Sequence, residues 1–424
     1  MNKVLRFFII LWKIAFDLLS DLLAYFKVNL ITLNIKTLCS NISKEASSDL
    51  LSNDYLIENL NYLFKYNTDR IENPCSSRLF AKIWISGLLE QRARVKNYIM
   101  ANPSVRKVPL NRPVFIITLI RTGSTFLHCL LENDHRWKCP KLWELEDFAP
   151  PPGDKNDQVR IKRCQLKWEF AAAIMGWDEI KRTHNFDPEK PEDFLLLYHM
   201  DMKFPIPMNN TMLSKEYTNF IRNRNKKVTK IYDENLKTNL QVLCKNSDMI
   251  NRRLMGMLHV SSANLETLLE TFPDAQIITI HRDSVSLVKS ACTLHHLNSK
   301  SCHRYFNDDK LGTGMRIMDI LNHDSKKLVE WRMNASLYHK EYPRFVDIYF
   351  DDLVKQPMET VNYIYQHLGM DMIPEVWQAM SNYLATHKNS KSNPTVLGEY
   401  GLSESNIKQT LRTYSEFFKV KDKC

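Results

Sequence analysis

Four short apolar runs constrain this chain more than any other feature. They are Val114 to Leu119 (VFIITL), Leu254 to Val260 (LMGMLHV), Gln276 to His281 (QIITIH) and Phe345 to Phe350 (FVDIYF). Each is continuous rather than alternating, which is the pattern of a parallel strand buried on both faces. Helical spacing separates them; Asn264 to Phe272, for example, puts Leu265, Leu268 and Leu269 on one face. Strands alternating with helices need crossover connections and build a parallel sheet. The expected fold class is therefore α/β, a central parallel sheet with flanking helices. In such sheets ligands bind at the carboxyl ends of the strands. Chemistry is expected just after Leu119, near His259 and after Ile280.

The rest of the chain is read around that sheet. Leu50 to Tyr66 and Arg78 to Met100 show apolar residues at helical spacing, the second with an exposed basic end at Arg92 and Arg94. Asn73-Pro74 and Asn102-Pro103 punctuate them. The expected division is an amphipathic N-terminal helix in 1–45, a helical region in 46–110 packing on the core, and an α/β domain over 111–424 with a helical insertion at 140–250. Aromatic and Met residues of that insertion, Trp168, Phe170, Met175 and Trp177, fit either core or an acceptor pocket, with core favoured.

Val4 to Lys27 is rich in apolar residues, but Arg6, Lys13, Asp17 and Asp21 interrupt it. Its longest uncharged run, Phe7 to Trp12, is far below the ~20 residues of a spanning helix. The charges form one narrow stripe on an otherwise apolar helix. Such a helix either lies on a membrane surface or packs against the fold. The expected location is cytoplasmic or membrane-associated, a Golgi signal-anchor being less favoured.

The net charge is +10, and residues 201–253 hold eleven Lys or Arg against five Asp or Glu. The stretch Ile221 to Lys230 (IRNRNKKVTK) reads first as a solvated surface, with no nucleic-acid signature beside it. Nine scattered cysteines without a CxxC exclude a zinc site or disulfide framework. No metal is expected. Sequons at Asn41, Asn209 and Asn334 are at the level expected by chance in an Asn-, Ser- and Thr-rich chain.

Glycine is scarce, 10 in 424 residues against a usual ~7%. One of the ten lies where VFIITL runs through Ile120-Arg121-Thr122-Gly123-Ser124-Thr125 into the helical FLHCLLEN. A glycine there permits positive φ and close ligand approach, and the helix N-terminus offers N–H donors to an anion. Arg121, Ser124 and Thr125 add charge and hydroxyls. A nucleoside triphosphate loop would require GxxxxGK[ST], which is absent. After QIITIH, Arg282 stands at a strand end and can grip a phosphate bidentately, with Ser290 about two helical turns on.

Together the segments PVFIITLIRTGSTFLHCLL and FPDAQIITIHRDSVSLVKS resemble the two cofactor motifs of the sulfotransferases. Leu142-Trp143-Glu144-Leu145 with the Pro-rich loop after it, Pro191-Glu192-Asp193 through His199, Tyr349 to Leu353 with Gln356-Pro357, and Leu397 to Leu402 are similar to further segments of that family. The resemblance covers roughly residues 50–420. It implies the P-loop NTPase-like sulfotransferase fold and transfer of a sulfuryl group from 3′-phosphoadenosine 5′-phosphosulfate to a hydroxyl or amine, without a metal. The partners it implies are that nucleotide donor and a small-molecule, lipid or glycan acceptor, with no nucleic acid. It further implies that Arg121, Thr122, Gly123, Ser124 and Thr125 hold the 5′ side and that Arg282 and Ser290 hold the 3′-phosphate. Arg121 would neutralise the leaving phosphate, and His259, at the end of LMGML, would be the general base. Glu144 and His128 are second candidates, for the acceptor side.

Two positions depart from the family pattern. Its Gly-x-Pro before the arginine is Thr118-Leu119-Ile120, and its lysine before the candidate base is Met257. Lys245, Arg252 or Arg253 are candidates to replace that lysine. The departures keep a catalytically impaired, sulfotransferase-like binding protein as the alternative, with a nucleotide or small-molecule kinase behind it.

Overall fold

The computed structural model describes residues 3–67, 74–153, 155–175, 186–205, 215–302, 309–334, 344–386 and 395–421. Trp177, Asn209 and His303 lie outside them. Five parallel strands form the central sheet in the order β2-β3-β1-β4-β5: β1 Val114–Thr118, β2 Trp137–Lys138, β3 Arg253–His259, β4 Gln276–His281 and β5 Phe345–Tyr349. Four of these are the expected runs to within a residue. The short edge strand β2 is an addition.

The continuous apolar character of the strands follows from their two covered faces. Phe115, Ile117, Leu258 and Ile277 belong to one buried cluster, while Val114, Ile116, Met257 and Ile278 belong to another. Alternate residues point to opposite faces, so an alternating sequence would have left one face wet. The second cluster is roofed by the helices Ser124–Leu131, Pro357–Leu368 and Pro374–Thr386. The first reaches into the helices Lys44–Leu51, Asp54–Asn67 and Cys75–Ala101.

The N-terminal region corrects two expectations. Leu50 to Tyr66 is not one helix: Ser52 ends the first, and Asn53 turns its amide back onto the Asp49 carbonyl at 2.6 Å. Arg92 is no exposed basic end, because it pairs with Asp49 and Asp201, each at 2.6 Å. Trp168 takes the core alternative, stacked on Phe186 at 4.0 Å, while Phe170 is exposed. The basic stretch is neutralised within the fold: Arg224 pairs with Glu58, and Lys226 with Glu266 and Glu270, all at 2.6 Å. Seven described cysteines are free thiols. Among the described residues no His/Cys/Asp/Glu group suits a metal, and no helix is long and apolar enough to cross a membrane.

Candidate active site

From β1 the chain runs to β2 and β3 on one side; β4 and β5 lie on the other. That reversal of strand order marks the carboxyl edge as the place where ligands bind in open parallel sheets. The turn after β1 and the turn after β4 both lie on that edge.

The first turn is held in an unusual conformation. Arg121 has φ 64° and Gly123 has φ 92°. Glycine accepts this freely, whereas an arginine there is strained and must be held by its surroundings. Four hydrogen bonds do so. The Thr118 and Thr122 hydroxyls bond to each other, and Thr122 also donates to the Leu119 carbonyl at 3.1 Å. Arg121 Nε donates to Ser290 Oγ at 3.1 Å, and Arg282 Nη1 donates to the Arg121 carbonyl at 2.6 Å. The two turns, read separately from the sequence, are thus bonded to each other. Gly123 matters for space as well as for φ: a Cβ there would lie 2.9 Å from the Phe350 ring. The Arg282 guanidinium stacks 4.1 Å from the centroid of the same ring.

Charge at this point is unbalanced. Burial, and then the charge of Arg282, lower the Arg121 guanidinium to about 10. No carboxylate pairs with Arg121 among the described residues. Burial likewise lowers Arg282, with Asp283 and Asp351 opposing the shift, and its buried Nε has no hydrogen-bond partner among the described residues. Asp283 caps the following helix by accepting from Ser286 N at 2.7 Å. Two adjoining cations, an orphaned N–H, a positive-φ glycine and a helix N-terminus form a cradle for a polyanion. Tyr414 braces it from behind, its hydroxyl 3.4 Å from Arg282 N and 3.2 Å from Nδ1 of buried His281.

The remaining sequence candidates separate into edge and interior. His259 ends β3 in register with Thr118, beside the first turn. Ser124 is buried at the first helical position and Thr125 is exposed after it, while Thr122 is buried closing the turn. His128 is fully buried, and desolvation holds it down at about 4. Glu144 is engaged by Lys138 Nζ at 2.6 Å and by Lys141 N at 2.8 Å. None of the suggested lysine substitutes is at this edge. Arg253 begins β3 at the opposite edge, Arg252 donates to the Trp137 carbonyl, and Lys245 reaches Tyr98. Met257 itself is buried in the second apolar cluster.

Two residues near the site were missed by sequence reasoning. Asp193 Oδ2 lies 3.5 Å from His259 Nε2, and Oδ1 accepts from Leu195 N at 2.7 Å. Burial pushes its carboxyl up to about 8. Gly256 places it: the Phe194 ring occupies the space of the absent Cβ, and Phe194 N donates to the Met257 carbonyl at 3.0 Å. The second is His295, buried on the helix Ser284–Cys302. Burial, and then the charges of Arg121, Arg316 and His259, lower it to about 3, which keeps its imidazole neutral near Arg121 and His259. Its helical spacing carries no signal of this proximity.

The fold is an α/β sheet with two linked basic turns, one after its central strand β1 and one after the neighbouring β4. The family model described as "Sulfotransferase family" matches residues 113–374. The chain belongs to the sulfotransferase family, and membership implies 3′-phosphoadenosine 5′-phosphosulfate as sulfuryl donor. It is 25% identical over 326 residues to omega-hydroxy-beta-dihydromenaquinone-9 sulfotransferase Stf3 of Mycobacterium bovis, covering 71% of each chain, and equally to that of Mycobacterium tuberculosis. Its fold is similar to that of sulfotransferase STF9 from Mycobacterium avium, with TM-score 0.74, 21% identity, and 92% of this chain and 98% of that one covered. For sulfotransferase STF1 from Mycobacterium tuberculosis H37Rv the TM-score is 0.69 at 19% identity, covering 90% and 98%.

Proposed function

We propose that this sulfotransferase binds its donor across the two joined turns and uses His259 to deprotonate an alcohol on a small or lipid-like acceptor. The observation that carries the reading is the Arg121–Arg282 pair. Two cations held together, one of them without a carboxylate, are unfavourable until an anion arrives. Arg121 with the N–H groups from Gly123 to Thr125 would hold the 5′ side, and Arg282 with Ser290 the 3′-phosphate. When bound, the donor supplies an electrophilic sulfuryl group on a phosphate leaving group. Arg121 neutralises charge on that phosphate as its bond to sulfur breaks. His259 takes the proton of the acceptor hydroxyl as the new oxygen–sulfur bond forms. Asp193, 3.5 Å from His259 Nε2, orients the imidazole, a positioning role. A lipid-like alcohol is favoured because the named relative acts on a hydroxylated menaquinone.

The test is thermal unfolding with adenosine 3′,5′-bisphosphate, followed by transfer of labelled sulfate to a lipid extract. Ligand at 100 times its Kd should stabilise the fold by about 2.7 kcal/mol. No melting shift at millimolar ligand would overturn the donor site. A normal shift with no labelled product from any extract would overturn catalysis and favour the impaired binding protein.

A further inference from the structure

The N-terminal helix Lys3–Tyr25 sits on the fold the wrong way round for a packed amphipathic helix. The side bearing Lys13, Asp17 and Asp21 faces inward. Asp17 accepts from Ser76 N and from Ser76 Oγ, both at 2.8 Å, and so caps the helix Cys75–Ala101, whose own N-cap residue, Pro74, has no side-chain cap bond. A carboxylate at a helix N-terminus is favourable there. Ser20 is buried on the same side, with Lys13, Asp17 and Asp21 half-buried. The wide apolar face points away from the protein. Phe8 is 59% exposed, Leu18 64% and Leu22 60%, with Leu11, Trp12 and Leu19 also exposed. The two helices that hold it, Cys75–Ala101 and Asp157–Met175, expose Ile83, Leu166 and Phe170 as well.

We propose that this outward face is a membrane-interface anchor that seats the enzyme on an anionic bilayer. A single exposed apolar face with a polar back is the pattern of a helix lying in the lipid headgroup region, and this helix is not apolar enough to span. Charge selects the occupant. Lys3 and Arg6 stand at one end of the helix and Lys27 just beyond the other, while none of its exposed residues is acidic. A second copy of the chain would bring like charges together, whereas anionic lipid would neutralise them.

The experiment is flotation of the full chain with vesicles of phosphatidylcholine containing phosphatidylserine, or of phosphatidylcholine alone. The protein should float with the anionic vesicles, more weakly with neutral ones and more weakly at high salt. Leu18→Asp with Leu22→Asp should lower the partition coefficient by about tenfold or more, from loss of apolar burial. Phe8→Ser is a milder second variant on the same face. Both should keep the wild-type melting shift with adenosine 3′,5′-bisphosphate, which separates loss of anchoring from failure of the donor-site reading. A wild-type chain that stays at the bottom with both vesicles would overturn the proposal, as would variants that float equally well. A vesicle-free dimer that the variants convert to monomer would also overturn it, making the face a contact between copies.

Discussion

Replacing Gly123 by alanine tests the turn where backbone, packing and charge meet. An L-residue at φ 92° costs about 1–2 kcal/mol. The new Cβ would meet Phe350 at 2.9 Å, and that ring also carries the Arg282 guanidinium. Adding about 1 kcal/mol for displacing a packed ring gives a loss of about 2–3 kcal/mol, or roughly 3 °C of melting temperature for a chain of 424 residues. Moving Phe350 also moves Arg282, so the shift induced by adenosine 3′,5′-bisphosphate should fall with the stability. Gly123→Ala combined with Phe350→Leu should recover the steric part, about 1 kcal/mol, but not the backbone part. Differential scanning fluorimetry with and without the bisphosphate reads both effects. A variant that melts within a degree of wild type and keeps its full ligand shift would refute the reasoning.

Three further outcomes follow from the same geometry. Arg282→Ala should abolish the melting shift for ligands bearing a 3′-phosphate but spare that for adenosine 5′-phosphosulfate, which lacks one; equal losses for both would show no division of labour between the turns. His259→Ala should lower kcat by about 10²–10⁴-fold with an unchanged bisphosphate shift; full turnover would remove His259 from the mechanism. Asp193 predicts a pH effect. Its carboxyl rises from 3.8 to about 8 in the fold, so the folded protein keeps a proton that the unfolded chain loses. That stability is full below about 4 and disappears as pH rises through 8, by up to about 1.4 kcal/mol per unit. In chemical denaturation from pH 5 to 8, Asp193→Asn should therefore gain on wild type, and parallel curves would contradict the assignment.

The sheet was legible because its strands are buried on both faces and each run is unbroken. β2 was not, since Trp137 and Lys138 are too few to show a period. Arg121, Gly123 and Arg282 could be read because each directly follows a strand, where connectivity alone fixes the location. Asp193 could not. It reaches His259 only through the fit of Phe194 over Gly256, a contact 62 positions apart in the chain. His295 was missed for a similar reason, as helical spacing gives its face but not which turns that face meets. The inward side of the first helix was also hidden. Periodicity finds two faces, but not which of them turns inward; contacts such as that of Asp17 with Ser76 come from distant parts of the chain.

The uncompensated guanidinium of Arg121 also bears on how the enzyme is handled and how it turns over. With its donor gone, the site should recruit whatever multivalent anions the solution offers. Sulfate or phosphate buffers should then stabilise the protein while competing with the donor. The spent bisphosphate keeps the charges that draw the donor in and loses only the sulfuryl group. Its departure, rather than the bond exchange, is then expected to set the pace of the cycle, and added salt should quicken release even as it weakens capture.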